Sequence, residues 1–307
     1  MKNKIPFRVQ PMLATLAREP FDRKGWVFEE KYDGYRILAY KEGARVGLLS
    51  RNAIDRSARY SRIADAVRAL SAQTLLLDGE VVAFDKKGVS RFQLVQQGND
   101  DLKYAVFDCL YKNGKDLRSE PLSVRRAVME ESLGSSKVLV ASKRFSGGGF
   151  KAYQLAKNKG LEGIIGKDLA SPYSEGRSKS WLKVKAHKED EYVIAGFTKP
   201  DGERKYFGAL LLGAYQKGKL HFVGKVGTGF DEESLATLYR KFKPLIRKQT
   251  ALVDPPREKG VTYLAPKLVA QISYQEETAD NKLRQPVFLG LRDDKDSKDV
   301  HLPGDES

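Results

Sequence analysis

Lys31 and Arg36 bracket an Asp33-Gly34 dipeptide in the run Glu29-Glu30-Lys31-Tyr32-Asp33-Gly34-Tyr35-Arg36. A lysine amine attacks electrophiles once it is neutral, and a fixed guanidinium nearby can hold an anion during the attack. The dipeptide would kink the chain and present the amine. Asp-Gly between alternating apolar and polar residues is also a plain hairpin signal with no chemistry attached. The groups that follow add to the chemical reading, because they recur where apolar strands end. Arg51 closes Val46–Ser50, Glu80 sits in Leu77–Val82, and Phe107-Asp108 ends Tyr104-Ala105-Val106. Glu162 opens Glu162-Gly163-Ile164-Ile165-Gly166-Lys167, and Arg177 precedes Trp181-Leu182-Lys183-Val184-Lys185. Alternation puts Lys183 and Lys185 on one strand face, where two ammonium groups repel unless an anion such as phosphate lies between them. An exposed basic strand is the other reading of that pair.

These groups need strands to hold them. Pro6 to Pro20 reads as an extended arm with a short helix, and Trp26 to Ser50 as a hairpin through Asp33-Gly34. Asn52 to Leu70 has helical spacing, and Leu75 to Phe84 reads as a strand pair broken at Asp78-Gly79. Tyr104 to Leu110 is a strand ending at an Asn113-Gly114 turn, and Pro121 to Leu133 a helix bounded by Pro and Gly. Gly147-Gly148-Gly149 links into a helix at Phe150 to Lys159, and a strand follows at Gly163 to Lys167. After about residue 188 short strands recur at Tyr192–Phe197, Ala209–Tyr215 and Leu220–Val226, with one helix at Glu232–Arg240. That texture fits a five-stranded barrel of the OB type, and equally a sandwich. Residues 301–307 read as a polar tail, with fraying expected from Asp293 onward.

Composition limits the partners. The 307 residues, 31% charged and 41% hydrophobic, have room for two domain cores. The longest apolar stretch, Ala209–Tyr215, is far too short to span a bilayer, and the amino terminus lacks the apolar core of a signal peptide, so a cytoplasmic location and no membrane partner are expected. A single cysteine and three scattered histidines exclude a disulfide framework and disfavour a thiolate or histidine metal centre. The net charge of +15 is lopsided: residues 1–190 hold 36 Lys+Arg against 23 Asp+Glu, and residues 191–307 hold 19 against 17. A basic excess confined to one region suits a polyanion such as nucleic acid.

With these residues in view, the chain resembles the nucleotidyltransferase superfamily of ATP-dependent DNA ligases, RNA ligases and capping enzymes, closest to bacterial ligases of the DNA ligase D type. The resemblance spans nearly the whole chain. It rests on Lys31–Arg36, Ser50-Arg51-Asn52, Asp78-Gly79-Glu80, Ala105–Asp108, Glu162-Gly163, Trp181–Lys185 and, near the carboxyl end, Phe288-Leu289-Gly290-Leu291-Arg292-Asp293-Asp294-Lys295. Gly224–Phe230 is similar to a segment of the same branch. Seven motifs in the expected order are far more specific than any one.

The resemblance implies an α+β adenylation domain of antiparallel sheets with flanking helices at 1–188, then an all-β OB-fold domain at 189–300. It implies ATP as the donor, Mg²⁺ or Mn²⁺ as cofactor, nicked duplex DNA as substrate, and Lys31 as the residue that carries AMP. Glu29 would lie beside the adenine, Glu80 near the ribose, and Phe107 would stack on the base, ordinary core being the other reading of that ring. Arg36, Arg51, Arg177, Lys183 and Lys185 would hold ribose and phosphate oxygens, and Glu162 with Glu80 would hold the metal. Arg292 and Lys295 would orient the departing pyrophosphate, while Asp33 and Gly34 serve turn geometry. Double-strand break repair by end joining, a Ku-like end-binding partner, a monomer and association with the nucleoid are further expectations. The chain would be a minimal ligase core or a piece of a longer protein. Two rivals stay open: an RNA ligase or capping-type transferase, and a non-catalytic nucleic-acid-binding module.

Overall fold

A computed structural model describes residues 5–98, 101–202, 204–278 and 280–302. The chain divides into two units, up to His187 and from Lys188 onward.

The first unit is built on two sheets. One contains β1 (Met12–Leu16), β2 (Trp26–Lys31), β9 (Gly163–Asp168) and β10 (Gly176–Lys185), in the order β1-β10-β9-β2. The other runs β4 (Arg45–Ser50), β3 (Tyr35–Glu42), β5 (Thr74–Val82), β6 (Lys103–Lys112) and β7 (Lys115–Asp116), with β8 (Leu139–Ala141) parallel to β6. Met12 and Trp181 of the first sheet pack with Leu38, Tyr40, Leu76 and Phe107 of the second, so a core lies between them. The second sheet's other face is covered by α1 (Ser61–Arg68), α2 (Phe92–Gln96) and α3 (Leu122–Leu133), through Ile63, Val67, Phe92 and Met129. The outer face of the first sheet buries Phe28, Ile164 and Val184 against Ala152 and Ala156 of α4 (Gly149–Lys159).

Several sequence expectations are corrected here. Asp33-Gly34 is not a hairpin turn: β2 pairs with β9 and β3 pairs with β4 and β5, so the dipeptide carries the chain from one sheet to the other. Alternation identifies a strand but not its partner. Glycine is needed because a Cβ on Gly34 would collide with the Val81 carbonyl oxygen. The hairpin is instead β3–β4, turning at Gly43 in left-handed backbone (φ 58°). Leu75–Phe84 is not a broken pair, since Asp78-Gly79 lies inside the single strand β5 with a bulge against β6. The Tyr104 ring fills the space a side chain at position 79 would need. The amino-terminal arm forms a strand rather than a helix, parallel to β10. The helix expected over 52–70 is confined to Ser61–Arg68, after turns that include Ala53 at φ 56°.

The second unit contains β11 (Glu189–Thr198), β12 (Leu210–Gln216), β13 (Lys219–Val226), α5 (Glu232–Phe242), β14 (Ile246–Arg247), β15 (Val261–Leu264), β16 (Val269–Ser273), the small pair β17 (Glu276–Glu277) and β18 (Leu283–Arg284), and β19 (Val287–Leu291). Strand β11 pairs with β12 on one side and with β15 and β16 on the other; β16 continues to β19. A bridge from Thr228 to Val287 joins the chain after β13 to β19 and brings the ends of the sheet together, the closure that removes exposed edges. The carboxyl end does not fray at Asp293: Val300 and Leu302 are buried, and the Leu302 N–H donates to the Tyr215 carbonyl at 2.9 Å. Residues 303–307 of the expected tail lie outside the described residues.

Candidate active site

Register across the first sheet creates three rows. Lys31, Gly163 and Lys185 stand opposite one another, then Glu29, Ile165 and Lys183, then Val27, Lys167 and Trp181. Because the rows are two residues apart, all of them project from one face. That face carries Lys31, Glu29, Lys167, Trp181, Lys183 and Lys185. Gly163 keeps the middle strand close, since a Cβ there would collide with the Val184 carbonyl.

Lys31 ends β2 and its Nζ donates to Glu162, the residue just before β9; both are partly exposed, at 18% and 14%. Asp33 explains how the end of β2 is held. Its carboxylate accepts the Phe92 N–H at the start of α2, and its own N–H donates to Ser90 Oγ, both at 3.0 Å.

Glu29 is buried and fully engaged. It accepts from Arg126, from Ser142 Oγ at 2.7 Å and from Lys167 Nζ at 2.8 Å. The Lys167 ammonium lies 4.4 Å from the Phe107 ring centre and 4.2 Å from that of Trp181. Burial pulls the Lys167 pKa below the usual lysine value, against the opposing pull of Glu29.

Arg36 is paired within the fold. Its Nε and Nη2 donate to Asp78 at 2.5 and 2.6 Å, Nη2 also reaches the Met12 carbonyl at 3.2 Å, and its Cζ lies 4.4 Å from the Phe107 ring centre. Burial opposes its charge, but Asp78 outweighs burial and raises the pKa. Tyr173 completes the pair, its hydroxyl donating to Asp78 at 2.7 Å and accepting the Met12 N–H at 2.8 Å. Phe107 is thus a largely buried ring with a cation on it from each sheet.

The remaining expected residues lie on other elements. Arg51 follows β4 in a turn, and Glu80 stands opposite Arg36 on β5, both half-buried. Arg177 on β10 is exposed and donates to the Ala14 carbonyl at 3.4 Å. In the second unit Arg292 is locked in two 2.9 Å bonds to Asp294 and one of 3.1 Å to Gln271, and Lys295 lies 3.4 Å from Glu191. Arg292 therefore has an internal anion where pyrophosphate was expected.

Sequence reasoning passed over Lys167, Trp181, Asp78, Tyr173, Arg126 and Ser142. Lys167 and Trp181 were legible, because both lie in motif runs at even spacing from Lys183 or Ile165. Arg126 and Ser142 left no signal, as they come from α3 and the segment after β8.

Two facing sheets with a lysine-rich inner face, followed by a closed β-barrel, make a nucleotidyltransferase domain with an OB fold. The chain belongs to the ATP-dependent DNA ligase family: the profile of the ATP dependent DNA ligase domain matches residues 11–185, and that of the ATP dependent DNA ligase C terminal region matches 203–295. It is 37% identical to the multifunctional non-homologous end joining protein LigD of Pseudomonas aeruginosa over 97% of this chain and 37% of that protein. It is 34% identical to a DNA ligase of Thermococcus fumicolans over 95% of this chain and 57% of the other. The chain thus spans well under two thirds of these relatives. A solved structure of mycobacterial DNA ligase D complexed with ATP and MES matches with a TM-score of 0.72 and 34% identity, covering 96% of this chain and 99% of that one. No helix among the described residues is long and apolar enough to cross a membrane.

Proposed function

We propose that this ligase seals nicks in duplex DNA through an AMP adduct on Lys31. The observation that carries this reading is the placement of Lys31 at a strand end, paired with Glu162 and level with Lys185 on a cationic sheet face. In the first step the Lys31 nitrogen bonds to the α-phosphorus of ATP, the bond to pyrophosphate breaks, and the amine gives up a proton. In the second a 5′-phosphate oxygen takes the AMP and the lysine is restored. In the third the adjacent 3′-hydroxyl attacks that 5′-phosphorus and AMP leaves. Lys183 and Lys185 neutralise phosphate oxygens, Glu29 and Lys167 form the polar wall beside Phe107, and Arg36 supports that ring. Arg51, Arg177 and Glu80 contact ribose and phosphates, and Arg292 and Lys295 face pyrophosphate.

Among the described residues no three His, Cys, Asp or Glu side chains gather into a metal site. That fits Mg²⁺, which takes one or two carboxylates and completes its shell with phosphate oxygens and water. Glu162 and Glu80 would hold it, and when bound it would neutralise charge on the phosphates. The similarity to end-joining proteins supports a role in double-strand break repair, and the reading extends to a Ku-like end-binding partner, a monomeric chain and a place at the nucleoid.

Intact-protein mass spectrometry after incubation with ATP and Mg²⁺ tests the central step. One AMP adduct is expected, absent in Lys31→Ala. An unmodified wild-type chain would favour a non-catalytic binding module, and preferential sealing of nicked RNA over nicked DNA would favour an RNA ligase.

A further inference from the structure

Glu30 lies between Glu29 and Lys31, yet alternation turns it to the opposite face of β2. There it is 7% exposed, opposite Ile164 of β9, on the side covered by α4. Its Oε1 has no hydrogen-bond partner. Native proteins rarely leave a buried carboxylate oxygen in that state. The enclosure is built by the chain after β8, which runs along the edge of β2. The Glu30 N–H donates to the Lys143 carbonyl at 3.0 Å, the Phe145 N–H to the Phe28 carbonyl at 2.9 Å, and the Lys143 N–H to the Tyr32 hydroxyl at 3.0 Å.

The charged and titratable groups around it are few. Lys143 comes from that edge segment and Lys159 from the last turn of α4, both exposed, and Tyr153 of α4 packs on the same apolar cluster; β9 and β10 contribute the apolar Ile164 and Val184. On its own strand and the following turn stand Glu29, Lys31 and Tyr32. Burial pushes the Glu30 carboxyl up to about 7, with Lys143 and Lys159 pulling it part of the way back.

We propose that Glu30 is a proton-operated brake on the neighbouring nucleophile. When ionised, its negative charge favours the protonated, unreactive form of Lys31 and repels the incoming triphosphate. When protonated it does neither. The inference rests on Lys31 being the AMP carrier. It makes Glu30 a positioning and tuning residue that never touches the substrate. Two opposite unit charges on adjacent residues of one strand, screened by an effective dielectric well above that of a dry interior, change the rate roughly fivefold.

The test is the single-turnover rate of AMP adduct formation in wild type and Glu30→Gln, from about pH 5.5 to about 8.5, which brackets the Glu30 titration. Glutamine mimics the protonated acid. The ratio of variant to wild-type rate is expected to climb from about 1 to about 5 with its midpoint near neutrality. A ratio independent of pH overturns the proposal. Lys159→Met removes a cation that favours the ionised form, so it should move the midpoint upward; an unmoved midpoint also counts against the brake. A wild-type readout independent of variant folding is carbon-13 NMR of labelled glutamate carboxyls, in which one should titrate near neutrality. If all of them titrate in the ordinary glutamate range, the idea fails. Absence of any adduct at every pH would instead sink the assignment of Lys31, whereas adduct formation with a flat ratio would sink only the brake.

Discussion

Replacing Glu29 with glutamine should expose how the inner sheet face tolerates its buried cations. Glu29 is the carboxylate shared by Arg126 and Lys167, with Ser142 as a neutral third donor. Arg126 keeps a second anion, Glu130, at 2.9 Å, and the Ser142 carbonyl at 2.7 Å. For Lys167, Glu29 is the only carboxylate within ion-pair distance among the described residues; otherwise its ammonium has two aromatic rings. Removing one partner of a buried pair costs about 3–5 kcal/mol, because the remaining charge stays desolvated. In a unit of this size that is roughly 6–20 °C in melting temperature.

The pH dependence follows from Lys167. Burial lowers its pKa in the folded protein, and losing Glu29 removes the main opposing pull, so the value falls further. Between that lowered value and the ordinary lysine value, the unfolded chain binds more protons than the folded one. Stability must then rise with pH across that window. The deficit of Glu29→Gln is therefore largest near neutrality and shrinks as pH rises toward the ordinary lysine value and Lys167 sheds its proton. Scanning calorimetry of wild type and variant across that range measures it. The double variant Glu29→Gln/Lys167→Met should recover part of the loss, since it removes the stranded charge along with its partner. A melting temperature within about 3 °C of wild type, or a deficit that ignores pH, would refute the reasoning.

Three further outcomes are expected. Gly34→Ala forces a Cβ into the Val81 carbonyl at the crossover, so it should lower the yield of folded protein, whereas Gly25→Ala, where no atom lies within 4 Å, should cost about 1 kcal/mol in urea unfolding, from backbone strain alone. Asp78→Asn should cost about 3–5 kcal/mol by stranding Arg36, while Glu162→Gln should change stability by about 1 kcal/mol or less, because its pair with Lys31 is partly solvated; equal losses would contradict the difference in burial. Affinity for nicked duplex DNA should fall steeply and log-linearly with salt, and a flat fluorescence-anisotropy titration would show that the basic excess of residues 1–190 does not engage phosphate.

The sequence was most legible where chemistry and strand periodicity coincide. Lys183 and Lys185 could be placed on one face without knowing the neighbouring strand, because a period of two is a property of the strand alone. The partner strands were not legible. Asp33-Gly34 carries the local signature of a hairpin, but β2 and β3 belong to different sheets, and only the long-range pairings of Lys31 with Gly163 and of Arg36 with Glu80 decide this. The same blindness hid the Glu29 network, whose donors come from positions 126, 142 and 167. Asp78 failed for a different reason: beside Gly79 it looked like a turn residue, whereas the strand runs through it and its carboxylate is a buried anchor.

That anchoring separates cations that the motifs alone treat alike. Cations gathered in one region repel one another, so the fold must supply anions of its own. In the first unit Lys31 and Arg36 each have one, in Glu162 and Asp78. The pairs differ in how readily they exchange. Asp78 is fully buried, takes two guanidinium bonds and is held by Tyr173, so freeing Arg36 for a ligand would leave a desolvated carboxylate behind. Lys31 and Glu162 meet once, at a solvent-reachable strand end, where water can take the place of either partner. Under the role proposed for Lys31, an amine that must become neutral and attack needs the second kind of pair. A guanidinium that holds an aromatic ring in place suits the first, as Arg36 does against Phe107.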